Sequence, residues 1–497
     1  MTQKRLQFKI FSLFIGYTLL FDSVFCTLIN NTTSAQDKGR LAGIGGDWMK
    51  VIKFGGSSLA SSEQVAKVVA IVKDDPQRRF VVVSAPGKRT KEDIKVTDLL
   101  IQLYEAKLAH QSLTPLVEEI FARYLEIGEA FEIGEEHLAA IRIDLESVAT
   151  LPIENNPHLY DHILSRGEDN NAKLIAGILQ AQGVNARYVN PQDLGLLVSD
   201  EPGNARVLYK AYNQIKKWSQ ADAVLVIPGF FGYTEEGNIC TFSRGGSDIS
   251  GSIVAAGVKA DLYENFTDVD GIFAAHPGYV HKPEIMKELT YREMRELAYA
   301  GFTVFHDEAL MPSFRAKIPV VIKNTNNPNC RGTKIIPERD LTEKPVVGIA
   351  SDEGFSMIYI SKYLMNREIG FTRRVLTILE EFGIGYEHMP SGIDDISIVI
   401  RSNQLDEDLQ EQLMRKIAYE IDPDELRITH DLSMIMVVGE GMRQRVGITA
   451  ESTAALARKR INLEMINQGS SEVSIMFGIH KEQEKLAIRT LYYTFFD

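Results

Sequence analysis

From residue 51 onward the chain alternates short apolar runs with stretches in which apolar residues recur every three or four positions. Val51, Ile52 and Phe54 form the first run, and Val65, Val68, Val69 and Val72 follow at helical spacing. Runs at 81–83, 224–227 and 320–322 are apolar enough to be strands buried on both faces, as in a parallel sheet. Residues 106–148 carry Leu and Ile among many charges and read as helices. The pattern predicts an α/β domain over 49–336, with a mainly parallel sheet and helices on both faces. Residues 337–345, charged and flanked by Pro337 and Pro345, predict a linker.

Beyond the linker one order of elements occurs twice. A strand at 356–360, an amphipathic helix at 371–382, strands at 384–389 and 396–400 and a helix at 405–421 form the first copy. A strand at 434–438, a helix at 447–460, strands at 461–466 and 473–477 and a helix at 482–496 form the second, with an extra strand at 426–429 between them. The second copy ends where its last strand is due, which predicts strands exchanged or interleaved between copies. The βαββα(β) plan resembles ACT domains, which bind amino acids as feedback signals. That resemblance implies two ferredoxin-like regulatory domains, at 346–430 and 431–497, with a homodimer or larger assembly formed through them. A ferredoxin-like pair serving only as a dimer interface is the alternative.

Two of the apolar stretches end in glycines. Lys53 closes the first run and Gly55-Gly56-Ser57-Ser58 follows, so a strand ends in a turn that opens a helix. Such a turn brings backbone N–H groups close to a bulky anion, with an ammonium in reach. The spacing is not Gly-x-x-x-x-Gly-Lys-Ser/Thr, which occurs nowhere in the chain. A second turn, Ser243-Arg244-Gly245-Gly246-Ser247-Asp248, also follows a strand-like stretch and precedes Ile253, Val254 and Val258 at helical spacing. One Gly-Gly-Ser turn is an ordinary strand–helix connection. Two, with Lys53, Arg244 and Asp248 attached, predict a phosphate site flanked by charges. Between them, Ser165-Arg166-Gly167-Glu168 presents an acid at a predicted helix start.

These two turns, the Ser165 to Glu168 segment, and Phe266-Thr267-Asp268-Val269-Asp270-Gly271-Ile272, in this order, resemble aspartate kinases of the amino acid kinase family. Residues 299–310 are similar to monofunctional bacterial members of the lysine- and threonine-responsive type, and the likeness runs from about Met49 to the C-terminus. It implies an αβα sandwich followed by ACT domains. The implied reaction is phosphorylation of the side-chain carboxylate of aspartate by ATP with Mg²⁺. This is the first step towards lysine (through diaminopimelate), threonine and methionine, with feedback by lysine, threonine or both.

A side-chain carboxylate with a pKa of about 3.9 is already a nucleophile at neutral pH. The task is therefore positioning and charge neutralisation. Lys53 with Gly55, Gly56 and Ser57 would hold β- and γ-phosphate oxygens, beside Phe54, and the Gly245 and Gly246 N–H groups would meet the transferring phosphoryl group. Asp248 would orient Lys53 and help hold Mg²⁺ through water, or cap the following helix. Arg244 suits an α-carboxylate and Glu168 an α-ammonium. The resemblance implies aspartate contacts for both, for Thr97, and for Ser84 in the same stretch. It also implies that Thr267 and Asp268 contact adenosine, and that Phe273 takes an aromatic position that is often tyrosine. Gly278 and Thr303 stand where many relatives carry arginine and lysine, and Lys323 is the candidate replacement cation. For the effector, Met365, Gly370 and Phe371 would offer a helix start to its carboxylate, and Glu387 would take its side-chain amine.

Composition narrows the remaining choices. A net charge of −13 over 497 residues argues against a nucleic-acid partner. Cys26, Cys240 and Cys330 are too widely spaced for a metal motif or a disulfide framework, so no metal site is expected and a reducing cytoplasm fits. Residues 8–29 are apolar and follow Lys4, Arg5 and Lys9, as in a signal peptide or short anchor. Asp22 interrupts that run, and Val24-Phe25-Cys26 is no small-x-small cleavage site. Residues 1–48 are expected to be a leader or a start-site artefact, because the family's chains begin at the equivalent of Met49. Two rival readings remain: a kinase for acetylglutamate or glutamate, and a non-catalytic amino-acid sensor with a decayed kinase domain, which Gly278 and Thr303 favour.

Overall fold

The computed structural model describes residues 48–497 apart from Arg244, 303–306, Glu343, Ser470 and Asp497. The apolar run at 8–29 lies outside the described residues. Among the described residues, no helix is long and apolar enough to cross a membrane.

The first apolar run forms β1 (Lys50–Phe54), at the middle of an eight-stranded sheet. The others are β2 (Arg78–Val83), β3 (Ala186–Tyr188), β4 (Val224–Pro228), β7 (Leu262–Thr267), β8 (Glu288–Thr290), β9 (Val320–Asn324) and β10 (Thr333–Ile336), in the order β3-β4-β2-β1-β7-β9-β10-β8. All neighbours are parallel except β9 and β10. The short strands β5 (Phe231–Tyr233) and β6 (Ile239–Thr241) make a separate hairpin. Alternation along β1 sends Ile52 and Phe54 into one apolar core and Val51 into another, so Lys53 shares the Val51 face. The chain leaves β1 for β2 on one side and returns to β7 on the other. The carboxyl end of β1 is therefore a switch point, where open parallel sheets bind ligands.

Two local expectations change. Gly55 to Ser58 opens a 3₁₀ turn, Gly56–Leu59, and the α-helix starts only at Ser62, where Ser61 Oγ accepts the Gln64 N–H at 3.4 Å. Glu168 lies in the middle of the helix Leu159–Ala181, not at a helix start. The polar run around it reads as a boundary, yet buried ion pairs, one to a neighbouring helix, let it stay helical. Arg166 reaches Asp144 at 3.0 Å and Asp169 at 3.2 Å.

The described residues of 337–345 form no regular element but are packed down. Arg339 forms a bidentate ion pair with Glu293, which is fully buried and also accepts the Glu440 N–H at 2.8 Å. Beyond them β11 (Gly348–Ser361), β12 (Tyr386–His388), β13 (Asp395–Arg401), β14 (Glu425–Val438), β15 (Met465–Asn467) and β16 (Ser474–His480) form one antiparallel sheet, ordered β12-β13-β11-β14-β16-β15. The strands expected separately at 426–429 and 434–438 are the single strand β14, irregular at Asp431 (φ 55°), one pair along from the irregularity at Gly354 (φ 84°) of β11. That left-handed residue gives the polar break that reads as a gap. β11 and β14 each serve both copies. Gly348 to Glu353 pairs with Ser433 to Val438 and completes the second copy's sheet, while Phe355 to Ser361 belongs to the first.

Candidate active site

Lys53, near the end of β1, is buried, and its Nζ lies 2.6 Å from Asp248 Oδ1. Asp248 sits in the first turn of the helix Gly246–Val258, where its carboxylate faces Lys53 and Asn265 instead of capping the helix. Asn265 Nδ2 donates to the same Oδ1 at 2.6 Å, and the Tyr263 hydroxyl donates to the Asp248 carbonyl at 3.3 Å. The chain enters that helix through Gly245 in the left-handed conformation (φ 77°), which few residues other than glycine adopt. Gly56 has a different reason to be glycine. A Cβ there would lie 2.9 Å from the Ala85 carbonyl oxygen, and Gly87 N–H donates to the Gly56 carbonyl at 2.8 Å. The first glycine turn is thereby locked to the loop after β2, which carries Ser84.

A cavity of about 360 Å³ opens here, and Ser84, Thr97, Glu168, Gly245, Gly246 and Asp248 line it together. Glu168 is only 6% exposed, and its Oε2 has no hydrogen-bond partner. Burial pushes its carboxyl up to about 8, against the pull of the Ala85 and Glu168 backbone N–H groups and the Lys53 charge. A buried, under-satisfied carboxyl in a cavity is suited to receive a cationic ligand group. Arg244 lies outside the described residues.

The candidate nucleotide residues stand at the end of the neighbouring strand. Gly55 N–H donates to the Phe266 carbonyl at 3.1 Å, and Thr267 Oγ1 donates to Asp268 Oδ1 at 3.1 Å. Asp268 and Ser57 are exposed, and Phe273 is half-buried and paired through its backbone with Ile285. The Phe54 side chain is corrected to a core role. It is fully buried and stacked on Phe266 at 5.1 Å, so only its backbone can face a nucleotide. Lys323 does not replace the missing cations. It is in register with Phe266 and Phe54 on the face opposite Lys53, and its Nζ lies 3.7 Å from Glu264. Gly278 is described, beside His276, and Thr303 lies outside the described residues.

In the first copy, Met365 and Phe371 are buried around the turn that Gly370 (φ 81°) closes before the helix Phe371–Glu381. Glu387 is not there. Register places it beside Val399 and Ile400, towards the other end of β13, where Arg401 Nε donates to it at 3.2 Å and the Tyr299 hydroxyl donates to its second oxygen. The acids beside the turn are Asp394, whose Oδ1 accepts the Leu364 N–H at 2.8 Å, and Asp424, whose Oδ2 accepts the Tyr363 N–H at 2.7 Å. Sequence reasoning also missed Asn265, and the lining residues Tyr160 and Thr241. The Asp-Asp pair at 394–395 was the available signal for the first case; the others carry no local motif.

Residues 48–324 match the amino acid kinase family, and 435–495 match an ACT domain. The chain is 54% identical to aspartokinase 3 of Bacillus subtilis (strain 168) over 90% of its own length and 99% of that protein's. It is similar to the crystal structure of Clostridium acetobutylicum aspartate kinase, at 36% identity and a TM-score of 0.80, covering 90% of this chain and all (100%) of that one. The fold also matches E. coli aspartokinase III, solved with aspartate and ADP (22% identity, TM-score 0.70, 90% of this chain and 100% of that one). The same enzyme solved with lysine and aspartate matches at 21% identity and a TM-score of 0.70, over 91% of this chain and 100% of that one. By sequence, by architecture and by the residues gathered at the end of its central strand, this chain belongs to the aspartokinases of the amino acid kinase family.

Proposed function

We propose that this protein transfers the γ-phosphoryl group of ATP to the side-chain carboxylate of aspartate. The observation that carries the reading is the Lys53–Asp248–Asn265 array, whose Asp248 lines the same cavity as Glu168 with its unpartnered Oε2. Glu168 receives the α-ammonium of aspartate, Thr97 and Ser84 supply hydroxyls along the cavity wall, and Arg244 takes the α-carboxylate. The side-chain carboxylate then points at the Gly245–Gly246 backbone. One of its oxygens bonds to the γ-phosphorus, the bond to the β-phosphate oxygen breaks, and ADP leaves. Lys53, held by Asp248, neutralises charge on the phosphoryl oxygens throughout. Thr267 and Asp268 flank the adenosine. Mg²⁺ bound with ATP supplies further neutralisation between phosphates. Both contacts of Asp248 fall on Oδ1, which leaves Oδ2 to face a hydrated cation.

The same reading divides the chain into a catalytic unit (49–336), a connecting segment (337–345) and two regulatory repeats (346–430 and 431–497), in a cytoplasmic homodimer or larger assembly. Lysine, alone or with threonine, binds the first repeat at the turn of Met365, Gly370 and Phe371, with Asp394 in the place expected for Glu387.

Hydroxamate formation from aspartate, ATP and Mg²⁺ tests the reaction. Turnover is expected, and Lys53→Ala or Asp248→Ala should each lower kcat by at least about a hundredfold. A folded protein that binds nucleotide without turnover would establish the sensor reading instead. A second measurement concerns pH. Because the folded chain raises the Glu168 pKa to about 8, this group favours folding most below its unfolded value and loses that contribution as pH rises through 8. Aspartate binds the ionised form, so below pH 8 its binding expels a proton. The KM for aspartate should fall by up to about tenfold per pH unit between pH 6 and 8, and Glu168→Gln should raise KM and flatten the profile.

A further inference from the structure

Three residues far apart in sequence meet beside the aspartate cavity. His158 precedes the helix Leu159–Ala181, Asp200 lies in the loop after β3, and Cys240 is on β6. His158 Nδ1 is 3.5 Å from Cys240 Sγ, His158 Nε2 is 3.2 Å from Asp200 Oδ1, and Cys240 Sγ is 3.9 Å from the same oxygen. One donor atom from each lies within 4.8 Å of the other two. A tetrahedral ion with bonds of about 2.0–2.3 Å separates its ligands by roughly 3.3–3.8 Å. The sulfur faces Nδ1 and the carboxylate Nε2, so closing on one ion requires the imidazole to turn and present a single nitrogen to both.

The surroundings favour a cation. Asp161, largely buried, accepts the Thr241 N–H at 2.7 Å and the Gly203 N–H at 2.8 Å, and its charge together with that of Asp200 bears on the thiol. The imidazole has the Asp200 carboxylate on one side and the Cys240 sulfur on the other. A Cys–His–Asp chain also occurs in thiol nucleophiles, but Cys240 is fully buried, so its sulfur is not open to attack a substrate. Metal ligation remains, because a bound cation displaces the thiol proton to solvent.

We propose that His158, Asp200 and Cys240 form a binding site for a borderline-soft divalent ion of the Zn²⁺ class, with a fourth position left to water. Its place gives it a use. Each ligand has a neighbour in the wall of the aspartate cavity: Tyr160 after His158, Gly203 after Asp200, and Thr241 after Cys240. An ion here ties three separate segments of that wall together.

The test uses the full chain carrying Cys26→Ser and Cys330→Ser, stripped with chelator and titrated with Co²⁺. One equivalent should bind, survive gel filtration, and give a thiolate-to-Co²⁺ charge-transfer band that Zn²⁺ abolishes. Cys240→Ser should remove the band. Asp200→Asn, at an exposed position where folding is not at stake, should weaken binding at least tenfold. Zn²⁺ should raise Tm in the parent and not in Cys240→Ser. Absence of the band in the parent, its persistence in Cys240→Ser, undiminished binding by Asp200→Asn, or a Tm indifferent to Zn²⁺ would each overturn the site.

Discussion

The two C-terminal repeats share one order of elements and one sheet, yet they are attached to the catalytic unit in different ways. The second repeat is fused to it. Ile349, Ile435, Ile475, Phe477 and Leu491 belong to the same apolar core as Val51, Tyr263 and Leu297 of the catalytic unit. Polar contacts reinforce that join: Ile349 N–H donates to the Ala274 carbonyl, Ser474 Oγ to Glu296, and the Glu284 N–H to the Tyr492 hydroxyl, at 2.8, 2.8 and 3.0 Å. The first repeat buries most of its apolar residues in a core of its own, from Ile358 and Phe371 to Ile398 and Ile417, and gives only Phe355, Met357 and Val399 to the shared core. Beyond those residues it meets the catalytic unit through polar groups, with the Tyr299 hydroxyl set between Glu387 and His388. Regions held by fewer apolar contacts open at lower cost. The second repeat is thus built as an anchor, and the first as the part less tightly held, the one the proposed effector would move.

The strongest way to break this contrast is to cut the anchor. Arg339→Met leaves Glu293 buried and unpaired beside the Glu440 N–H, and should cost about 3–5 kcal/mol. The loss should appear as a lower Tm of the catalytic unit and second repeat together. A truncation made once in each core sharpens the contrast. Ile475→Ala and Ile398→Ala each remove a fully buried side chain, worth about 2–5 kcal/mol. The first should lower activity and global Tm in parallel. The second should produce an early unfolding transition, abolish inhibition by lysine and spare the uninhibited rate. Calorimetry with inhibition assays separates them, and one shared transition in both variants would refute the division. The smallest effect is expected at the polar contact. Tyr299→Phe removes the hydroxyl shared by Glu387 and His388, and should alter the concentration of lysine needed for inhibition by a factor of about 2–30, with kcat unchanged. Ser474→Ala, the matching change under the second repeat, should leave inhibition untouched.

Much of this arrangement is legible in the chain because its signals are local. The apolar runs of β1, β2, β4 and β9, the helix of Val65 to Val72, and both glycine turns carry their periodicity or backbone requirement within a few residues. What escapes reading is set by register or by distant partners. Whether Phe54 and Lys323 face the site depends on which face of a parallel sheet they share, and that follows from pairing with β7. Glu387 is an acid on the expected strand, but pairing with β13 slides it towards the end away from the Met365 turn. Ser165 to Asn171 looks like a helix boundary because the charges that satisfy it, such as Asp144, come from another helix. His158, Asp200 and Cys240 follow no spacing rule, since three separate elements bring them together.

The long strands β11 and β14 also dictate an order of assembly during synthesis. The stretch from Gly348 leaves the ribosome before either repeat, yet its first half finds a partner only when Met434 to Val438 has emerged. Until then it is an unpaired edge next to a nearly finished first repeat, an exposure that invites pairing with another nascent chain. Neither repeat is therefore a cassette. A chain ending after the first repeat would leave the Gly348 to Glu353 edge open, and one beginning at Ser433 would lack a strand, so insertions, deletions and gene fusions within 348–438 must preserve both halves or lose both.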